Sequence, residues 1–476
     1  MNFRHGVVFT FLIHALVVLI DKGGGLVLYL LTAEQPDQHG GAGIVASLPF
    51  VLGAVANLGL ATALVWFVRR KRFTAQECFE TSLAVALGWG TFVAALAWCV
   101  VMYALPLVDP AWRIDPWLVL PICLAVPLLL VASYANSTQL ATGRVQDYGV
   151  VHLVTSLAFL PAFFGVFLWL GGDVAKQQVP LGVAWGRLLS TLVVAALALW
   201  LVRQVVQLRV RVHRPFLDAA LRFGWKANLT STLNYLNHRL DLIVLGVLMF
   251  RALRVDGQAP EAARVAANVQ VAFYSMAVTW AELVWHFPEA MRDLFFSKVA
   301  GGTEEEARAH TPVLARLGLT VSLVGAVAVL FLVDPVMGLV TNLARGSDAV
   351  WFAGWSDAVG QCLLVLAPGT VAYTVSKVLQ ADLGARDHLD TCVWAQAIVF
   401  VVMIGLDVLW IPGEGALGAA WASTVAYLVG TVFTVAAYSR QTGTPMWRCL
   451  VVHPADFRYI ADVYAAVVGK LLRRSA

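Results

Sequence analysis

Between residues 221 and 246 the chain reads Leu-Arg-Phe-Gly-Trp-Lys-Ala-Asn-Leu-Thr-Ser-Thr-Leu-Asn-Tyr-Leu-Asn-His-Arg-Leu-Asp-Leu-Ile-Val-Leu-Gly. These residue types suit two kinds of chemistry. Asn228, Thr230, Ser231, Thr232, Asn234, Tyr235 and Asn237 can hydrogen-bond a polyol, while Arg239 presents the planar fork of donors that fits phosphate and carboxylate. Asp241 can balance a cation or exchange a proton. Asn228, Ser231 or Thr232, Tyr235 and Arg239 follow the spacing of one helical face. That face can bind a polyol or a phosphate, or pack against another helix through hydrogen bonds.

A second charged pair, Asp21-Lys22, precedes three glycines, Gly23–Gly25. Adjacent helical residues lie about 100° apart, and residues two apart about 200°. Neither Asp21 with Lys22 nor Arg239 with Asp241 therefore closes on itself. Each charge needs a partner on another helix, in water or in a ligand, and Glu282 is a candidate to neutralise Arg239.

The elements that carry these groups must lie in a membrane. Hydrophobic residues make up 60% of the 476 residues and charged residues 13%, with a mean hydropathy of +0.76. Soluble chains carry about 25% charged residues. Apolar windows of about 20 residues recur along the whole chain. They predict twelve spans near 6–31, 42–67, 80–106, 116–138, 149–171, 180–202, 226–250, 266–291, 312–334, 357–380, 391–411 and 416–438. The first is read as a span and not a cleaved signal, because Asp21-Lys22-Gly23 follows the run Met1–Ile20 where a small-x-small site would be needed. An ionised group near the bilayer centre costs about 2.5–3.5 kcal/mol on insertion scales, so the polar stretch at 221–246 is expected to wall a cavity.

With the N-terminus inside, 23 basic residues fall on the cytoplasmic side and 6 outside. The positive-inside rule then places both termini in the cytoplasm. The two halves also repeat. Leu181-Gly182-Val183-Ala184-Trp185 in span six matches Leu417-Gly418-Ala419-Ala420-Trp421 in span twelve at an offset of 236 (418 − 182), and Arg203-Gln204 matches Arg440-Gln441. The expected fold is an all-α polytopic membrane protein of two pseudo-symmetric six-helix bundles. Its expected parts are an N-terminal bundle (1–205), a basic cytoplasmic linker (206–225), a C-terminal bundle (226–440) and a cytoplasmic tail (441–476). Parallel repeats of this kind hold substrate between the halves and rock one against the other.

Other groups have blander readings. Arg187, two turns inside span six, is expected to snorkel. Lys377 and Asp407, near span ends, are expected to be solvated, and the basic linker residues Arg209, Arg211 and Arg214, with His213, to lie along the leaflet. Pro288 and Pro368-Gly369 are candidate kinks. The six cysteines show no CxxC spacing, so no metal site or disulfide framework is expected. Gly41-Ala42-Gly43-Ile44-Val45-Ala46 matches a dinucleotide fingerprint in letters only, since it follows no strand. There is no P-loop, no basic nucleic-acid stripe and no Asp-x-Asp pair. No cofactor, nucleic-acid partner or catalytic residue is expected.

Several segments resemble the polysaccharide transporters of the multidrug/oligosaccharidyl-lipid/polysaccharide exporter superfamily, the O-antigen and exopolysaccharide flippases. They are Leu221-Arg222-Phe223-Gly224, Leu236-Asn237-His238-Arg239-Leu240-Asp241 with Leu245-Gly246, Ala272-Phe273-Tyr274-Ser275, Pro368-Gly369, Ser376-Lys377, and Gly415-Ala416-Leu417-Gly418-Ala419-Ala420. The chain departs from that family after span one, where Gln38-His39-Gly40-Gly41-Ala42-Gly43 replaces a Gly-Pro-x-x-aromatic-Gly pattern. The resemblance implies a non-enzymatic flippase of the bacterial inner membrane. It would move an undecaprenyl-pyrophosphate-linked oligosaccharide to the periplasmic leaflet, with the bilayer and the polysaccharide polymerase machinery as partners. On that reading Lys22, Arg239, Asn228, Tyr235 and Asn237 bind substrate, and Asp21, Asp241 and Glu282 couple or balance charge. The alternatives are a cation-coupled drug or metabolite antiporter of the same superfamily, with Asp21 as the coupling acid, and a membrane glycosyltransferase or polymerase.

Overall fold

The structure is a computed structural model. It describes residues 3–451 apart from 33–34, 109, 111–112, 174–177, 300–303, 346–348 and 387, and the side chains of 3–15, 18, 227, 286–310, 340–355 and 385 lie outside the description. The helices are α1 (Phe3–Thr32), α2 (Pro36–Ala56), α3 (Leu60–Arg69), α4 (Ala75–Cys99), α5 (Leu105–Val108), α6 (Pro116–Ala141), α7 (Val145–Trp169) and α8 (Gln178–Val202). They continue with α9 (Arg214–Val255), α10 (Pro260–Val299), α11 (Glu304–Arg345), α12 (Ala349–Ala385), α13 (Leu389–Glu414), α14 (Ala416–Thr442) and the short α15 (Trp447–Leu450). A π-helical turn, Val100–Ala104, joins α4 to α5.

Taking α2 with α3 and α4 with α5, the described residues form twelve helical spans. Nine among the described residues are long and apolar enough to cross a membrane; α9 and α10, interrupted by charged residues such as Arg239 and Glu282, are not among them. Large apolar side chains such as Phe92, Leu323, Phe331 and Val432 point outward, as a lipid solvent allows and water does not.

The packing pattern repeats between halves. α7 lies on α8 as α13 lies on α14, α6 on α8 as α12 on α14, and α4 on α6 as α11 on α12. α1 packs on α7 as α9 packs on α13. The duplicated glycines serve the same purpose in each half: Gly182 meets Phe163 on the preceding helix, and Gly418 meets the Trp410 backbone on its own preceding helix.

Span two begins earlier than the hydrophobicity suggests, at Pro36, so Gln38–Gly43 is helix and not an outer loop. Gly40 is required there, because a Cβ would lie 1.8 Å from the Asn268 carbonyl oxygen of α10. The span then breaks at Asn57–Gly59, where Leu58 and Gly59 have φ of 56° and 75°. Tyr134 on α6 donates to the freed Asn57 carbonyl at 2.8 Å. Gly59 rests on Gly224 of α9, where a Cβ at 59 would sit 2.3 Å from the Gly224 carbonyl oxygen. Next to this crossing Trp66 stacks on Phe223 at 4.5 Å, with the Arg70 guanidinium 4.6 Å from the Trp66 ring.

The linker is shorter than its composition suggests. Helix α9 starts at Arg214 and swallows the second half of the expected 206–225 linker. The extended remainder is pinned to α4. Gln76 and Gln207 exchange two hydrogen bonds of 2.9 and 2.7 Å, His213 N donates to Thr81 Oγ1 at 3.0 Å, and the His213 ring meets Glu80 at 2.7 Å.

Candidate functional site: a charged cluster between the bundles

The bundles meet where α2 packs on α9 and α10, α3 on α9, and α1 on α10. The two close crossings, Gly59 on Gly224 and Gly40 on Asn268, bracket a charged cluster. Arg239 lies 15 residues beyond Gly224 on α9 (239 − 224), and Glu282 lies 14 beyond Asn268 on α10 (282 − 268). At 1.5 Å per residue each is about 21–22 Å along its helix from a point where the bundles touch. The cluster therefore lies between the two crossings, about midway along the seam.

Three helices supply its centre. The Glu282 carboxylate accepts from Lys22 Nζ at 2.9 Å and from Arg239 Nη2 at 3.0 Å, so one acid on α10 bridges the first helix of each half. These side chains are 14–32% exposed, enough for solvent to reach the groups but not to screen them fully. Tyr235, one turn before Arg239, packs on Phe50 of α2 at 6.3 Å between ring centroids and lies beside the Arg239 guanidinium.

Arg187 does not snorkel. Its guanidinium stacks on Phe159 at 4.0 Å and on Phe50 at 5.2 Å, its Nε is buried with no hydrogen-bond partner among the described residues, and Asp21 is its acidic neighbour. Asp21 in turn faces Ser156 of α7. The cluster thus holds three cations (Lys22, Arg187, Arg239) against two acids (Asp21, Glu282), an excess of one positive charge among hydroxyls and ring faces.

Asn237 is not part of it. Its amide donates to the Gln396 carbonyl oxygen at 3.2 Å and Oε1 at 2.9 Å, inside a network with Tyr373 and Gln380 that joins α9 to α13 and α12. Asn228, eleven residues before Arg239, is partly buried and is not brought to the cluster. The polar stretch of α9 thus divides into two faces: Tyr235 and Arg239 look toward the other bundle, and Asn237 glues helices within its own. Thr232 belongs with the first face, donating to the Ala54 carbonyl of α2 at 3.0 Å.

A second acidic group lies deeper in the C-terminal bundle. Asp241 is buried and accepts from Tyr274 Oη at 2.5 Å, while Tyr274 also meets Ser423 Oγ at 2.9 Å. Asp407 of α13 is its electrostatic neighbour and is not solvated: it is fully buried, with both carboxylate oxygens lacking hydrogen-bond partners among the described residues. Lys377 is also buried, its ammonium 3.8 Å from the Trp285 ring centroid. Position near a predicted span end misplaced both, because α12 and α13 run on past the apolar windows, to Ala385 and Glu414. Between the acid pair and the charged cluster a small cavity, with room for about one water, is lined by His238, Tyr274, Glu282, Trp285 and Tyr427. Pro368 lies within α12, and Thr424 of α14 donates to the nearby Val365 carbonyl at 2.6 Å. The Pro288 side chain lies outside the described residues.

No family model and no curated protein matches the sequence. Solved structures do match. A multidrug resistance MATE family transporter of the MOP superfamily in an inward-facing conformation superposes with a TM-score of 0.65 at 12% identity, covering 92% of this chain and 98% of that one. The lipid II flippase MurJ in an inward closed conformation gives 0.67 at 13% identity, covering 98% of each. An outward-facing MATE family transporter gives 0.60 at 15% identity, over 93% of this chain and 98% of that one. The chain therefore has the fold of these MOP superfamily transporters along nearly its whole length. The narrower polysaccharide branch implied by its motifs goes beyond that likeness.

Proposed function

We propose that this protein is a flippase of the bacterial inner membrane that carries an undecaprenyl-pyrophosphate-linked oligosaccharide from the cytoplasmic to the periplasmic leaflet for surface polysaccharide synthesis. The observation that carries the reading is the Lys22–Glu282–Arg239 bridge at the seam between bundles. A pyrophosphate needs convergent cations, and Lys22 and Arg239 come one from each half, with Arg187 close by. A sugar needs hydroxyl donors and flat apolar faces, and Tyr235 and Phe50 supply them. The lipid tail remains in the bilayer. Alternating access follows when the seam opens at the Gly59–Gly224 crossing or at the Gly40–Asn268 crossing in turn. On this reading Asp241, with Asp407 beside it, couples that motion to an ion gradient.

A deletion strain complemented with wild type and with Arg239→Ala tests this. Surface polysaccharide should return with the wild type and not with the variant, at equal protein in the membrane. Restored drug resistance with unchanged polysaccharide would assign the chain to the antiporter reading instead.

A further inference from the structure

We infer that Glu282 and the anionic headgroup compete for the same two cations, so that headgroup binding displaces the carboxylate and one proton is taken up by Glu282. The inference rests on the flippase reading and adds its proton stoichiometry. Lys22 and Arg239 both point their donors at one carboxylate, at 2.9 and 3.0 Å. Lys22 and Arg239 carry further N–H donors, but those aimed at Glu282 are the ones that converge between the two halves, and a pyrophosphate bridging both cations there takes the place of the carboxylate. It also brings at least two negative charges against the carboxylate. An ionised acid left without its cations beside a like charge favours the protonated form. When the headgroup leaves, the proton is lost and the bridge reforms. Glu282 thus stands in for the substrate in the unloaded protein and keeps the two cations from repelling the bundles apart.

Among the described residues no second acid touches Glu282, and a small cavity sets it beside groups able to relay a proton. α1 presents Lys22 to Glu282; α9 presents Tyr235, His238 and Arg239, with Asp241 behind; α10 itself presents Tyr274, and α14 presents Tyr427. Lys377 of α12 is held on Trp285. On α2, Asp37 and His39 lie in the first turn, and on α11 Arg316 reaches the Arg448 carbonyl and Asp334 accepts from Ser356. The one-water cavity connects Glu282 with His238 and with Tyr274, whose hydroxyl already hydrogen-bonds Asp241.

Titration calorimetry on the purified full chain tests the inference. The probe is farnesyl pyrophosphate, with inorganic pyrophosphate and farnesol separating headgroup from tail. Runs are made above about pH 7.5, where the probe's own terminal phosphate holds little proton. Comparing buffers of different ionisation enthalpy should show uptake of about one proton per probe, and affinity should weaken about tenfold per pH unit as pH rises. Glu282→Gln should bind at least tenfold tighter, without pH dependence; Glu282→Asp should keep the wild-type slope. Binding without proton uptake by the wild type, a measurement that needs no variant to fold, overturns the inference and leaves the flippase reading standing. Absence of binding at every pH overturns the pyrophosphate reading together with the inference.

Discussion

Lys22 and Glu282, 260 residues apart in sequence, are joined by a 2.9 Å ion pair that ties the first helix of the N-terminal bundle to α10 of the C-terminal one. Arg239 completes the bridge from the first helix of the C-terminal bundle. The fold thereby gathers three charges, each costly in lipid alone, around one carboxylate, two cations against one acid, with side chains 14–32% exposed.

Removing Glu282's cations should destabilise more than removing either alone. Lys22→Met or Arg239→Met leaves the carboxylate one partner. The double variant leaves a largely buried charge with none, and the loss should approach about 3 kcal/mol once partial exposure is allowed for. Melting in detergent should show a greater-than-additive drop for the double variant. Additive shifts would mean that the bridge contributes little.

The acid pair should respond asymmetrically. Asp407→Asn replaces a buried carboxylate that has no hydrogen-bond partner among the described residues, so its melting temperature should stay level or rise. Asp241→Asn takes the charge from a short hydrogen bond and Tyr274→Phe removes its donor, and each should cost about 1.5–3 kcal/mol. Export in Asp407→Asn should fall despite intact folding; export at wild-type rates would remove Asp407 from the coupling role.

Asn237→Ala should separate packing from transport. It removes the amide that donates to Gln396 at the α9–α13 contact, at a cost of about 1–3 kcal/mol. Farnesyl pyrophosphate affinity should stay within about twofold of wild type, whereas Arg239→Ala should lose most of it. A large affinity loss in Asn237→Ala would return that residue to the binding site.

Gly59→Ala should be far worse than Gly143→Ala. Both have positive φ, 75° and 84°, but a Cβ at 59 meets Gly224 at 2.3 Å while one at 143 meets nothing within 4 Å. Gly143→Ala should cost the strain alone, about 1–2 kcal/mol. Gly59→Ala must also push the bundles apart at their crossing and should impair membrane accumulation. Equal tolerance would place the crossing under no constraint.

Much of the molecule was legible in one dimension. Apolar windows located the spans, because lipid demands about 20 apolar residues whatever their neighbours. The Leu-Gly-x-Ala-Trp repeat pointed to the duplicated architecture, because a glycine needed for close helix packing recurs in both copies. The over-polar stretch at 221–246 exposed α9 as unlike a lipid-facing helix, and angular spacing alone required Lys22, Arg239 and Asp241 to find partners elsewhere. What spacing cannot say is which helix faces which. Only the packed structure set Glu282 between Lys22 and Arg239, laid Arg187 on Phe159, turned Asn237 away to Gln396, and buried Asp407 beside Asp241. Those outcomes depend on rotations and axial shifts of helices hundreds of residues apart, and no local pattern encodes them. The polar helix that stood out first is therefore two surfaces back to back, one joining helices within its bundle and one facing the other bundle.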